Sequence, residues 1–126
     1  MEKQKKEIKV LFIAEFQQQY NQLLETIETE KQNGIENSFH NQLMKSVGRN
    51  IELLKSWPDY GTRIPQKLIP NQYIEKFQIN NLWKLNLPNG WRSLYTLHTT
   101  TTEINVVLID YMDHDRYNTL FHYRKR

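Results

Sequence analysis

The spacing of hydrophobic positions changes along the chain, and each change marks an element. Ile8-Lys9-Val10-Leu11-Phe12-Ile13-Ala14 is short, apolar and partly β-branched, which predicts a first strand covered on at least one side. Phe16, Tyr20, Leu23, Leu24 and Ile27 then recur at helical spacing until the turn signal Asn33-Gly34. A second helical stripe is formed by Phe39, Leu43, Val47, Ile51 and Leu54, with Gly48 a weak point inside it and Trp57-Pro58-Asp59-Tyr60-Gly61 closing it. Two helices so placed form an antiparallel hairpin whose Gln, Asn and Glu residues make a solvated face.

Residues 62–80 hold two prolines and a polar–aromatic stretch, and read as an ordered connection with one helical turn. Leu82-Trp83-Lys84-Leu85-Asn86-Leu87, the turn Pro88-Asn89-Gly90, and Trp91-Arg92-Ser93-Leu94-Tyr95-Thr96-Leu97 predict strand, tight turn, strand, since Asn-Gly is a strong hairpin signal. Residues 103–111 are so apolar at Ile104, Val106, Val107, Leu108 and Ile109 that this third strand must be covered on both faces. His114-Asp115-Arg116-Tyr117-Asn118-Thr119-Leu120-Phe121 predicts a short helix before the basic tail Tyr123-Arg124-Lys125-Arg126. The expected order is βααβββα, an α+β fold.

At 126 residues the chain fits one compact domain, residues 1–126, with 38% hydrophobic and 25% charged residues supporting a packed interior under a polar surface. Cysteine is absent, so disulfides and thiolate zinc sites are excluded. The apolar run at residues 10–14 is too short for a signal peptide, and no segment approaches the ~20 apolar residues of a membrane span. The cytoplasm is the expected compartment, and no membrane partner is expected. The net charge of +3 is unevenly placed: residues 1–60 hold eight Lys/Arg against nine Asp/Glu, residues 61–126 nine against five. A basic second half suits a polyanionic partner.

Alternation in the hairpin puts Trp83, Leu85 and Leu87 on one face and Lys84 and Asn86 on the other, where Arg92 joins them. Such a pair is either a phosphate site, Arg supplying a planar fork of donors and Lys a point charge, or two cations on a solvated sheet face. Asp113, His114, Asp115, Arg116 and Tyr117 gather proton-handling groups at the end of the apolar strand, and the same Asp-His-Asp run can simply cap a helix. His40, His98 and His122 have no ligand-like spacing, so no metal site is assigned. Phosphate-loop, nucleophile-elbow and zinc-protease motifs are missing, and no cofactor is expected. Trp83, Trp91 and Tyr95 alternate with leucines and read as core.

Asn81-Leu82-Trp83-Lys84-Leu85, Gly90-Trp91-Arg92-Ser93-Leu94-Tyr95 and Asp113-His114-Asp115-Arg116-Tyr117 together resemble the C-terminal half of RelE/ParE-family toxins of type II toxin–antitoxin systems. Gly61-Thr62-Arg63-Ile64-Pro65-Gln66-Lys67-Leu68-Ile69-Pro70-Asn71-Gln72-Tyr73 is similar to a connection in a branch of RelE-like proteins associated with archaea. The resemblance implies a RelE-like fold, with an N-terminal strand and two-helix hairpin on a small, mainly antiparallel sheet and a short C-terminal helix. It also implies a cognate antitoxin as partner and metal-independent cleavage of mRNA on the ribosome by attack of a ribose 2′-hydroxyl on the adjacent phosphate. Lys84 matches a family lysine near the scissile phosphate, Arg92 the transition-state arginine and Tyr117 a C-terminal tyrosine near the attacking ribose. Asn86 stands at a second basic position, and His114 or Arg116 takes the place of a second arginine. The implied catalytic set is therefore Lys84, Arg92, His114 and Tyr117, with Lys67, Asn86, Arg116, Arg124 and Lys125 as further RNA contacts. Other members act on gyrase or only bind an antitoxin, which is the alternative activity.

Overall fold

The computed structural model describes residues 6–122. Strand β1 (Glu7–Phe12) leads into helices α1 (Ala14–Gln32) and α2 (Phe39–Ser56). After a two-residue strand β2 (Thr62–Arg63) and a single 3-10 turn (Gln66–Leu68) comes α3 (Asn71–Phe77). Strands β3 (Trp83–Asn86), β4 (Arg92–Thr99) and β5 (Glu103–Met112) precede the last helix, α4 (His114–Leu120). The five strands form one mixed sheet in the order β1-β5-β4-β3-β2, in which β1 and β5 are parallel and all other pairs antiparallel. The fold class is α+β, as expected.

One sheet face carries the helical hairpin. Phe16, Leu23 and Ile27 of α1 and Leu43, Val47 and Leu54 of α2 are buried against Leu85, Leu87, Tyr95, Val106, Leu108 and Tyr111. Each such side chain removed from water stabilises the fold by ~1.5–3 kcal/mol before conformational entropy is charged against it. Leu24, expected in the α1 stripe, is exposed instead: a 19-residue helix lying on a small sheet buries only a narrow strip. The hairpin is closed by Glu30, which accepts from Ser38 Oγ (2.7 Å) and contacts His40 Nδ1 (3.1 Å), while Ser38 Oγ accepts from the Asn41 N–H as the cap of α2. These bonds hold the Glu30 carboxyl below its ordinary range, led by Ser38 and then His40.

The other face is covered by elements that lay partly beyond the sequence pattern. Ile64, Ile69, Tyr73, Leu82, Leu94, Ile109, Met112, Tyr117 and Phe121 form a second buried cluster under α3, α4 and the connection. The expected order lacked β2 and gave this connection one helical turn. Both residues of β2 are exposed and carry no hydrophobic period, and α3 is seven residues long with only Tyr73 and Phe77 turned inward. Asn81, just before β3, organises this region, its Oδ1 accepting from Leu97 N–H (2.8 Å) and Trp83 Nε1 (3.2 Å) and its carbonyl from Thr96 Oγ1 (2.7 Å).

The β3–β4 hairpin closes as Asn-Gly demands. Asn89 and Gly90 have φ of 57° and 79°, and the Trp91 N–H donates to the Pro88 carbonyl (3.2 Å), the geometry of a type I′ turn. Between β4 and β5 the register slips at Leu94/Tyr95, so Leu94 faces Asp110 while Tyr95 faces Leu108. Ile109 is the extra residue, and the bulge turns both Ile109 and Asp110 toward α3 and α4.

Candidate functional site

Lys84 on β3 and Arg92 on β4 stand on the sheet face opposite the helical hairpin, as alternation required. Their cationic ends converge on one ring: Lys84 Nζ is 5.9 Å and Arg92 Cζ 5.7 Å from the centre of Tyr117. Tyr117 reaches them from α4, where it packs on Phe121 with ring centres 4.6 Å apart. A cation over an aromatic face is attracted by the ring quadrupole, so the tyrosine is a platform that holds two like charges near each other.

Among the described residues, no carboxylate lies within ion-pair distance of Lys84 or Arg92. Arg92 donates from Nη1 to the Trp91 carbonyl (3.0 Å), and its Nε is buried without a hydrogen-bond partner. Two half-buried cations left without counter-charge favour an incoming anion, and an arginine fork with donors to spare fits phosphate oxygens.

His114 opens α4 beside the hairpin turn. A side chain at Gly90 would come within 3.3 Å of His114 Cβ, so the glycine lets the imidazole lie against the turn. The ring is exposed, with Nε2 3.0 Å from Asn118 Nδ2. Asp113 acts as the cap of α4, accepting from the Arg116 N–H at 2.8 Å. The Asp-His-Asp run thus combines both readings, a cap at Asp113 and a solvent-facing imidazole at His114.

Of the other expected residues, Asn86 stays beside the centre, exposed and paired with Arg92 across the hairpin. Lys67 is exposed on the connection, whereas Tyr117 is only 4% exposed, so its ring rather than an accessible phenol faces the cations. Arg116 is turned away onto Asp110, donating from Nη1 to Oδ1 (3.2 Å) and from Nη2 to Oδ2 (2.8 Å). Arg124 and Lys125 lie outside the described residues. Among the described residues no group of three or more His, Asp or Glu side chains gathers as a metal site would.

Asp110 and Tyr73 escaped the sequence reading. Asp110 is buried, and besides Arg116 it accepts from the Tyr73 hydroxyl at 3.0 Å. Burial first, and then the neighbouring carboxylate, push the Tyr73 phenol far above its ordinary range. The three side chains tie β5, α3 and α4 together and so fix the helix that carries His114 and Tyr117. The available signal was a carboxylate placed inside the mostly apolar run of residues 104–112, where burial requires a partner.

No protein-family model, no curated protein and no solved structure matches this chain.

Proposed function

We propose that this chain is the toxin component of a type II toxin–antitoxin pair, a RelE-like endoribonuclease that cleaves mRNA on the ribosome without a metal ion. The observation that carries the reading is the convergence of Lys84 and Arg92, neither of them ion-paired among the described residues, on the Tyr117 ring, with His114 on the same helix and against the Gly90 turn. In the reaction the ribose 2′-oxygen gives up its proton and attacks the adjacent phosphorus, the bond to the 5′-oxygen breaks, and that oxygen takes a proton. The products are a 2′,3′-cyclic phosphate and a 5′-hydroxyl. Arg92 and Lys84 stabilise the extra negative charge of the phosphorane, His114 transfers a proton, and Tyr117 sets the spacing of the two cations.

The sequence resemblance adds the partner: an antitoxin segment rich in Asp and Glu that covers the cationic face. RNA-end mapping after induction of the chain tests the proposal. New ends bearing 2′,3′-cyclic phosphate that depend on Arg92 are expected, and continued translation without such ends overturns it.

A second reading, a binding protein without nuclease activity, draws on the burial of Tyr117 and on Asn86 standing where a further cation would help. It requires an Arg92→Ala variant as toxic as the unaltered chain.

A further inference from the structure

The cationic face of the β3–β4 hairpin carries a third polar side chain, and it is neutral. Asn86 pairs with Arg92 across the hairpin and lies two residues beyond Lys84 on the same strand, so all three side chains project to one side. Residues opposite each other in such a ladder have Cβ atoms about 4.5–5.5 Å apart. Asn86 is exposed and Arg92 half-buried, which leaves the amide at the open rim of the phosphate site.

The backbone at Asn86 is open as well. The Leu87 N–H donates to the Trp91 carbonyl (2.9 Å), and hydrogen-bonded pairs alternate with non-bonded ones along an antiparallel ladder. Asn86 therefore takes the intervening position, with its own N–H and carbonyl directed away from β4. Two residues earlier, at Lys84, the same groups face β2, which pairs only with Lys84 and Trp83. Beyond Lys84 the outer edge of β3 has no strand against it among the described residues.

A phosphate offers only acceptors, so it can use Lys84 and Arg92 but not the side-chain oxygen or main-chain carbonyl of Asn86. Those oxygens need a donor, and the group that brings donors and acceptors together beside a phosphate is a nucleobase. An asparagine amide matches adenine through two hydrogen bonds, its oxygen accepting from the N6 amino group and its nitrogen donating to N7. Adenine repeats a donor–acceptor pair on its Watson–Crick edge, whereas guanine, cytosine and uracil offer one on that edge alone. An unpaired base can present either edge, so the amide fits adenine in both orientations.

We infer that Asn86 is the specificity-determining residue of this site, reading an adenine next to the phosphate that Lys84 and Arg92 hold. The inference rests on the proposed RNA-cleaving reading and deepens it by naming the base. The cations hold the RNA backbone, and the amide selects the nucleotide without taking part in proton transfer.

The test is equilibrium binding of the full chain to short single-stranded RNAs made uncleavable by 2′-deoxy substitution, one with a single adenine among uridines and one of uridine alone. The unaltered chain should bind the adenine strand about tenfold more tightly, the discrimination of one bidentate contact. Asn86→Ala should bind both strands alike, close to the affinity of the unaltered chain for uridine. Asn86→Gln should keep part of the preference. Asn86→Asp should lose it and weaken both strands, because a carboxylate repels phosphate and cannot donate to N7. Lys84→Ala and Arg92→Ala should weaken both strands by a common factor and make the salt dependence shallower, with the preference for adenine retained. Asn86 is exposed, so circular dichroism of its variants should match that of the unaltered chain. If Asn86→Ala keeps the full preference, or the unaltered chain shows none, the inference is overturned while the phosphate site stands. A preference for another base overturns it equally. If neither strand is bound, or neither cation affects binding, the RNA reading falls and the inference falls with it.

Discussion

Arg116 grips Asp110 with both terminal nitrogens, at 3.2 and 2.8 Å, from a side chain that is itself 54% exposed, while that of Asp110 is only 11% exposed. The asymmetry decides what each substitution does. Arg116→Ala leaves a carboxylate with little water and only the Tyr73 hydroxyl, and should cost about 1–3 kcal/mol. Asp110→Ala should cost a similar amount, because it frees Tyr73 and Arg116 together. In urea unfolding the double variant should lose less than the sum of the singles by about 1 kcal/mol, and strict additivity would show that the pair does not hold α4 in place.

Gly61 and Gly48 should respond oppositely to alanine. A methyl at Gly61 meets the Lys84 carbonyl at 2.6 Å and the Tyr95 hydroxyl at 2.8 Å, so the turn or β3 must move. At Gly48, inside α2, nothing lies within 4 Å, and alanine should stabilise the helix by about 0.5–1 kcal/mol. Thermal denaturation of the two variants side by side checks both signs.

Alkaline pH should unfold the chain through its buried phenols. Burial is the leading cause that pushes Tyr95 and Tyr111 up to about 12 and Tyr73 higher still. Each folded value lies above the unfolded one, about 10. Their contribution is therefore complete below pH 10 and declines as pH rises, by about 1.4 kcal/mol per pH unit for each tyrosine that ionises only on unfolding. Between pH 10 and 12 the urea midpoint should fall with a slope of more than one proton. Replacing Tyr73 with Phe should reduce that slope, although it also removes the hydrogen bond to Asp110.

The two cations should separate by chemistry. Arg92→Lys keeps the charge and loses the planar fork, so RNA binding should retain its salt dependence while cleavage falls by about tenfold or more. Arg92→Ala should lower cleavage by a hundredfold or more, roughly the effect of removing one transition-state donor.

Tyr117 distinguishes a platform from a reacting phenol. If the ring orders Lys84 and Arg92, Tyr117→Phe should keep most of the cleavage rate and Tyr117→Leu should lose it, along with stability from the second core. A Phe variant as inactive as the Leu variant would instead give the hydroxyl the decisive part. Single-turnover cleavage rates, measured with thermal denaturation of the same samples, separate the two.

Long elements with a full hydrophobic period were legible in the sequence. The stripes from Phe16 to Ile27 and from Phe39 to Leu54 gave both long helices, Asn89-Gly90 gave the hairpin, and the apolar run at residues 104–109 gave a strand covered on both sides. Alternation alone put Lys84 and Arg92 on one face, because a strand repeats every two residues and the turn fixes the register.

What the sequence could not give depends on residues far apart in the chain. The bulge at Ile109 turns Asp110 onto the α3 and α4 side, and only then can Tyr73, 37 residues earlier, and Arg116, six residues later, meet its carboxylate. The same pairing withdraws Arg116 from the cationic centre. Burial of Tyr117 under Lys84 and Arg92 likewise follows from where α4 docks. Local pattern records which face a residue takes within its own element; which elements then cover that face is decided by tertiary packing.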